Sequence, residues 1–393
     1  MRFIIFLTVF LSLYSGLHLY GFLSVKRALV PGPKVSAAVI LFMVLMIFTP
    51  IIIRILERND LVTPARFFAY IGYIWMGLLF LFFSFAVALD AYRLIFEAIQ
   101  RVFNADFSRF CLSKAQCFFI PLFLSVGITI FGFFEALNIK SERVIIKTDK
   151  ITQEIGRLKI VQISDVHLGL IVGKHRLKRI LEPVKAEKPD VLVSTGDLVH
   201  GQMNKLSELT EMIREIPTKY GKYAVTGNHE FYAGLPEALQ VTTDAGFRVL
   251  RGEGHNIPGV INIAGVDDPA GKRYGLEPNV SENALLSKLP QENFTLFLKH
   301  RPWLSDAKGG LFDLQLSGHT HKGQIFPFSL IVKLFYPYFN GLVSLGNHSY
   351  IYVSRGTGTW GPPVRFLAPP EITVIELVHE SKTNHQTSKL QNS

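Results

Sequence analysis

The chain has 393 residues, 49% of them hydrophobic, with a mean hydropathy of +0.28 and a formal net charge of +10. That length exceeds one ordinary domain, and that apolar fraction excludes a wholly soluble protein. Two cysteines in all exclude a disulfide framework, and the lack of any Cys-x-x-Cys excludes zinc ribbons and dithiol redox work.

The apolar excess lies at the front. Residues about 3 to 23, 35 to 53, 67 to 89 and 118 to 137 each approach the roughly 20 residues a bilayer requires and predict four spanning helices. A signal peptide is the second reading of the first stretch, because Arg2 precedes it. Its length, the lack of a small-residue cleavage site and the spans that follow favour a membrane helix. The connecting loops carry Lys26, Arg27 and Lys34, then Arg54, Arg58 and Arg66, then Arg93, Arg101, Arg109 and Lys114, so positive charge is spread over both faces. Lys140, Arg143, Lys147 and Lys150, just after the last span, tilt the following domain towards the cytoplasm, with an extracytoplasmic domain as the alternative. These basic residues also suit anionic lipid. Cys111 and Cys117 read as inert, membrane-proximal residues.

Beyond residue 140 the pattern changes. Helix-like stretches such as HRLKRILEPVKAEK, KLSELTEMIREI and LPEALQVTTDAG alternate with short apolar runs, which predicts a layered α/β domain over residues 141–379. Residues 380–393 are polar and read as a disordered tail. Five of the apolar runs end in polar clusters: Asp165-Val-His167 after KIVQIS, Gly196-Asp197 after VLVST, Gly227-Asn228-His229 after YAVT, His300 after FTLFLK, and Gly318-His319-Thr320-His321 after DLQLS. Open sheets bind ligands at the carboxyl ends of their strands, so five such ends can converge.

The residue types at those ends decide the chemistry. Two carboxylates, one amide and four imidazoles suit manganese, iron or zinc. Seven ligands exceed the need of one tetrahedral ion and fit two adjacent ions with a shared carboxylate, a standard device for hydrolysing phosphate esters. Taken singly, each cluster has an ordinary explanation: Asp-x-His is common, Asn-His suits a turn, and alternate histidines can lie on one strand face. Their joint occurrence in order is what carries the reading.

The order D-x-H, G-D-x-x-D, G-N-H-[DE], H, G-H-x-H resembles the calcineurin-like metallophosphoesterases over roughly residues 157 to 378. The wording GHTHKGQ and the late Ser354-Arg355-Gly356-Thr357-Gly358-Thr359 are similar to a bacterial, membrane-associated branch of that family. The resemblance implies a double β-sheet sandwich flanked by helices, here behind the four-helix transmembrane region. It implies that Asp165, His167 and His321 hold a first metal, that Asn228, His300 and His319 hold a second, and that Asp197 bridges them. His229 would protonate the leaving-group oxygen or stabilise the transition state. Two divalent ions are the expected cofactors, with manganese the first choice in vitro. Two departures stand out: His200 replaces the last Asp of G-D-x-x-D, and Lys322 follows His321 where the branch usually has Gly.

Three other patterns carry less. Gly356-Thr357-Gly358-Thr359-Trp360-Gly361 satisfies G-x-G-x-x-G, but Pro362-Pro363 follows where a phosphate-binding helix should begin. Asp267-Asp268 ends the run VINIAGV, yet Asp-Asp-Pro is an ordinary turn initiator. Asn279, Asn293 and Asn347 lie in glycosylation sequons, which matter only in a secretory pathway. The segment between Gln324 and Ser344 is unusually apolar for a loop beside an active site. Phe326, Phe328, Phe335, Tyr336, Tyr338 and Phe339 in it are candidates for membrane or acyl contact, with core filling as the alternative.

The expected protein is therefore a bacterial inner-membrane phosphoesterase acting on a lipid or lipid-linked nucleotide. A phosphodiesterase of soluble substrates and a catalytically silent metal scaffold are the alternatives. The bilayer and a phosphoester are the expected partners, nucleic acid is not, and the oligomeric state is left open.

Overall fold

A computed structural model describes residues 2–103, 110, 112–201, 206–276, 278, 280–304 and 310–381. Cys111, Asn279 and nearly all of the polar tail lie outside the described residues. The chain divides into two compact units, Met1–Phe134 with Gly361–Val364 and Glu135–Trp360 with Arg365–Ser393.

The first unit contains four helices, α1 (Arg2–Leu29), α2 (Pro33–Arg58), α3 (Val62–Phe103) and α4 (Lys114–Glu135), each with a stretch long and apolar enough to cross a membrane. The protein is thus an integral membrane protein by the length and composition of these helices. The third helix outruns its predicted span. Its 42 residues rise about 63 Å at 1.5 Å each, roughly twice the hydrocarbon thickness. No Gly or Pro interrupts residues 90–103, so nothing ends the helix where hydropathy falls. Helices α2 and α3 meet where Thr49 is fully buried against Gly72, whose missing Cβ leaves room for the Thr49 methyl. Two polar pairs link the helices: Trp75 Nε1 donates to His18 Nε2 at 2.9 Å, and the Tyr20 hydroxyl to Asp90 at 2.7 Å.

The second unit is a two-sheet sandwich with helices α5 (Lys174–Glu187), α6 (Ser207–Arg214), α7 (Asn228–Ala233), α8 (Leu235–Asp244), α9 (Ala270–Tyr274), α10 (Glu282–Leu286) and α11 (Phe328–Phe335). One sheet runs β1 (Lys140–Thr148), β12 (Glu371–His379), β2 (Arg157–Ile163), β3 (Val191–Ser194), β4 (Lys222–Ala224), β5 (Arg248–Val249). The other runs β10 (Gly341–Gly346), β11 (Ser349–Val353), β9 (Leu314–Ser317), β8 (Thr295–Leu298), β7 (Ile261–Gly265), β6 (Glu253–Ile257). Alternate residues face the space between the sheets, as the two-residue period of a strand requires. Leu158, Ile160, Val191 and Val193 meet Ile261, Ile263, Leu296, Leu298, Leu314 and Leu316 there in one core. Strands β2, β3 and β4 are mutually parallel, as are β7, β8 and β9, so their carboxyl ends align along one edge of each sheet.

Sequence reading takes residues 140–150 as a basic stretch beside the membrane, and the structure places nearly all of it in β1, paired parallel with β12. Its charges have partners within the domain: Arg143 pairs with Glu187 and the buried Glu376, Lys147 with Glu380, and Lys150, just past the strand, with Asp313. Charges on an edge strand also deter unwanted pairing.

Candidate metal centre

Each of the five polar clusters follows the carboxyl end of a strand: Asp165 and His167 follow β2, Asp197 follows β3, Asn228 opens α7 after β4, His300 follows β8, and His319 and His321 follow β9. The loops there are tightly wound. Asp165, His167, Asp197, His319 and His321 have φ of 53°, 55°, 51°, 69° and 47°. Left-handed backbone is uncommon outside glycine and costs on the order of 1–3 kcal/mol per residue, so its concentration at five of the seven candidate ligands marks a site held by its surroundings. Lys322 shares this geometry, with φ 51° and ψ 29°, which accounts for Gly being the easier residue at that position.

Much of that holding comes from backbone packed against the ligands. A Cβ on Gly227 would overlap the Asp197 carboxylate, and one on Gly318 would overlap Ser164 and Asp165. Glycine at both places is therefore a matter of space. The late Ser-Arg-Gly-Thr-Gly-Thr segment proves to be a brace. Thr357 N donates to Ser164 O at 2.7 Å and Gly358 N to Asp165 O at 3.0 Å, which fixes the loop carrying Asp165. The fully buried Arg365 donates to the carbonyls of Arg355 at 2.7 Å and His321 at 3.2 Å. Asp267 and Asp268 are occupied elsewhere, by Arg251 and Arg301 respectively.

Six of the seven residues come together in two groups. In the first, His167 Nε2 lies 3.2 Å from His321 Nε2, which lies 3.3 Å from Asp165 Oδ1. In the second, His300 Nε2 lies 3.2 Å from His319 Nδ1 and 3.4 Å from Asp197 Oδ2. That same Asp197 oxygen is 3.8 Å from His167 Nε2, so one carboxylate oxygen touches both groups. Ligands about 2.0–2.1 Å from a tetrahedral ion sit roughly 3.3 Å from one another, which is the spacing found here. Asn228 Oδ1 is buried with no partner among the described residues, an orphan of the kind an ion would satisfy. The donor set and its spacing therefore fit two divalent ions.

Electrostatics point the same way. Burial alone would raise both carboxyls, but the imidazoles of His321 and His300 hold Asp165, and His300 and His229 hold Asp197, well below the usual carboxylate range. Burial lowers His167, His319 and His321, which favours the uncharged ring that a metal ligand must be. Burial would lower His300 as well, yet Asp197 outweighs it and pushes that ring up to about 10.

His229 stands beside this cluster. Its backbone N–H donates to Asp197 Oδ1 at 2.8 Å, its Nδ1 lies 3.3 Å from the His200 carbonyl, and its ring stacks on His200 with centroids 5.0 Å apart. The ring nitrogens of His167, His200 and His229 form a third close group.

Two contributors escape sequence reading. Glu230, buried, accepts backbone N–H bonds from Gly227, Asp197, Leu198 and Val199 at 2.6–3.3 Å, tying the second and third clusters together. Burial and the Asp197 charge push its carboxyl up to about 7. The acidic position closing G-N-H-[DE] was the available signal. Tyr336 is the other; its hydroxyl lies 2.8 Å from His319 Nε2, the nitrogen facing away from the second group. Only its membership of an aromatic run hints at this.

Comparison with known proteins agrees with the geometry. The model of the calcineurin-like phosphoesterase family matches residues 158–323. A metallophosphoesterase of Aquifex aeolicus is 38% identical over 65% of this chain and 98% of its own length. One from Helicobacter pylori strain J99 is 34% identical over 72% of this chain and 80% of its own. A zebrafish transmembrane protein with a metallophosphoesterase domain is 31% identical over 66% and 62% respectively.

Proposed function

The chain belongs to the calcineurin-like metallophosphoesterase family, and on that premise we propose that it is a membrane-anchored, dinuclear phosphoesterase cleaving a phosphoester or pyrophosphate bond in a lipid or lipid-linked nucleotide. The observation that carries the reading is Asp197 Oδ2, 3.4 Å from one ligand group and 3.8 Å from the other, the position of a bridging ligand. Asp165, His167 and His321 would hold one ion, and Asn228, His300 and His319 the other. Two such ions, when bound, supply Lewis acidity to a phosphoryl oxygen and activate a water at neutral pH.

The protein groups do the rest. Asp165 and Asp197 remain ionised and keep the cluster anionic, the charge a pair of cations requires. The His200 carbonyl engages His229 Nδ1 and leaves Nε2 to exchange a proton with the leaving-group oxygen. Glu230 and the Thr357–Gly358 brace keep the strand-end loops from relaxing.

The lipid-linked substrate is supported by the four spans and by the apolar segment that follows His321. The division into a transmembrane region (1–140), a phosphoesterase domain (141–379) and a tail belongs to the same proposal, as does a bacterial inner membrane with the domain on the cytoplasmic side. The pairing of Arg143, Lys147 and Lys150 inside the domain shifts weight to the loops, where Lys26, Arg27 and Lys34 with Arg93, Arg101, Arg109 and Lys114 outnumber Arg54, Arg58 and Arg66 and favour the opposite side. Labelling in intact cells of a cysteine introduced at an exposed domain position, Lys288→Cys in a background with Cys111 and Cys117 replaced by Ser, decides between them.

The first test is hydrolysis of bis-p-nitrophenyl phosphate by detergent-purified protein after chelation and return of manganese. Activity should return with manganese, vanish in Asp197→Asn, and fall in His229→Ala with metal retained. Tight metal binding with no turnover of any phosphoester would establish a silent scaffold instead.

A further inference from the structure

Helix α11 is built inside out for a soluble domain. Its packed side is a narrow stripe around Val332, while Leu330, Ile331, Leu334 and Phe335 are 59%, 47%, 83% and 70% exposed. A helix on a water-facing surface turns its large apolar residues inward, and a cluster of this size left outside marks a binding surface. Lys333 is its one charged residue, with a stem long enough to lie along apolar surface while its ammonium reaches phosphate.

What covers this face follows from where the helix sits in its own domain. The chain leaves α4 at Glu135 and enters β1 at Lys140, whose N–H donates to Pro370 O at 2.8 Å. Four residues before Pro370, Phe366 is paired with the root of α11: Phe326 N donates to Phe366 O at 3.2 Å and Phe366 N to Gln324 O at 3.0 Å. The stretch 366–370 spans at most about 14 Å even when extended. The exposed helix and the point where the domain receives the chain from the last apolar helix therefore share one end of the domain. Leu367, between the two, is itself 60% exposed.

We propose that α11 lies in the membrane interface, with Leu330, Ile331, Leu334 and Phe335 in the acyl boundary of the leaflet, as a second and monotopic attachment of the domain. The helix ends at Tyr336, whose hydroxyl meets His319 and whose ring stacks on Trp303 at 5.6 Å. A leaflet-seated α11 thus sets the second ligand group beside the headgroup layer, where an amphiphilic phosphoester presents its phosphate; this last step rests on the metallophosphoesterase reading, while the seating does not.

The seating is tested with the full chain in nanodiscs of phosphatidylethanolamine and phosphatidylglycerol containing doxyl-labelled lipid. Cys111 and Cys117 are replaced by Ser, and an NBD label is attached at Leu334→Cys, at Ile331→Cys as a second reporter, or at Lys288→Cys as an exposed control. Both reporter positions are exposed, so the substitutions remove no core contact. The expected result is blue-shifted emission, several-fold stronger quenching by doxyl lipid than at the control, and protection from aqueous iodide. Equal quenching by doxyl lipid and equal access to iodide at all three positions would overturn the proposal, whether or not the protein hydrolyses a phosphoester.

Discussion

The apolar helices and the metal domain differ in how their buried polar atoms are gathered. Inside the helices they are scattered: His18 sits between the Tyr14 carbonyl at 2.8 Å and the Trp75 indole N–H at 2.9 Å, Tyr20 donates to Asp90, and the Tyr14 and Thr129 hydroxyls are buried singly with no partner among the described residues. At the strand ends ring nitrogens and carboxylate oxygens crowd one another. Two pairs of imidazole nitrogens stand 3.2 Å apart, carboxylate oxygens lie 3.3–3.4 Å from histidine nitrogens, and Asn228 Oδ1 has no partner among the described residues. Burying polar atoms without partners is costly, and at the strand ends that cost is concentrated in one cluster of candidate ligands that a cation would relieve. The difference separates polar residues spread through a helix packing from polar residues gathered at one point.

Two glycines offer the sharpest way to break this contrast, because each occupies a place where a Cβ would overlap a neighbour. In Gly227→Ala the methyl displaces Asp197, and turnover of bis-p-nitrophenyl phosphate should fall about 10²-fold or more, as misplacing a reacting group does. In Gly72→Ala the methyl meets only the Thr49 side chain. The expected cost is about 1–3 kcal/mol of stability with manganese-dependent turnover unchanged, read by thermal unfolding beside the activity assay. Equal loss of activity in both would mean that the metal site depends on helix packing.

Glu230→Gln comes next. The carboxylate accepts four backbone N–H bonds, and an amide would present two donors to donors. Bonds to a charged acceptor contribute about 1.5–3 kcal/mol, so the unfolding midpoint should drop by roughly 5–10 °C. An unchanged midpoint would show that the clusters do not need this tie. Tyr336→Phe has a smaller expected effect, since it removes only the hydroxyl at His319 Nε2. Manganese affinity should weaken about 10- to 100-fold, with kcat largely recovered at saturating metal. Titration of the chelated enzyme measures both.

How much of this was legible in the sequence depends on what each signal encodes. The spans and the strands under the five clusters were readable because hydrophobic periodicity reports burial directly. The candidate ligands could be picked out because residue type and order survive without coordinates. Strand β1 was not, since its Arg143 and Lys147 look like solvated charge until Glu187, Glu376 and Glu380 are placed beside them. Helix α11 was read as loop because Pro327 and Pro337 bracket it, yet the eight residues between Pro327 and Tyr336 contain no breaker and wind into a helix. The left-handed backbone at the ligands and the reach of Glu230 across two loops are consequences of packing that no local pattern carries.

The smallest expected effect concerns His200, the residue that departs from the family pattern. Its carbonyl, 3.3 Å from His229 Nδ1, is backbone and survives any substitution. Its ring supplies a stacking platform at 5.0 Å and 22° to His229, and an aromatic pair of this kind is worth about 0.5–1.5 kcal/mol. His200→Asp restores the family residue while removing that platform, so kcat should fall no more than about tenfold, the rate equivalent of that energy. Bound manganese should not change. The opposite outcome is equally specific: the ring nitrogens of His167, His200 and His229 lie within 4.8 Å of one another, so loss of a manganese equivalent in His200→Asp would mean that His200 holds metal. His200 would then belong with the candidate metal ligands.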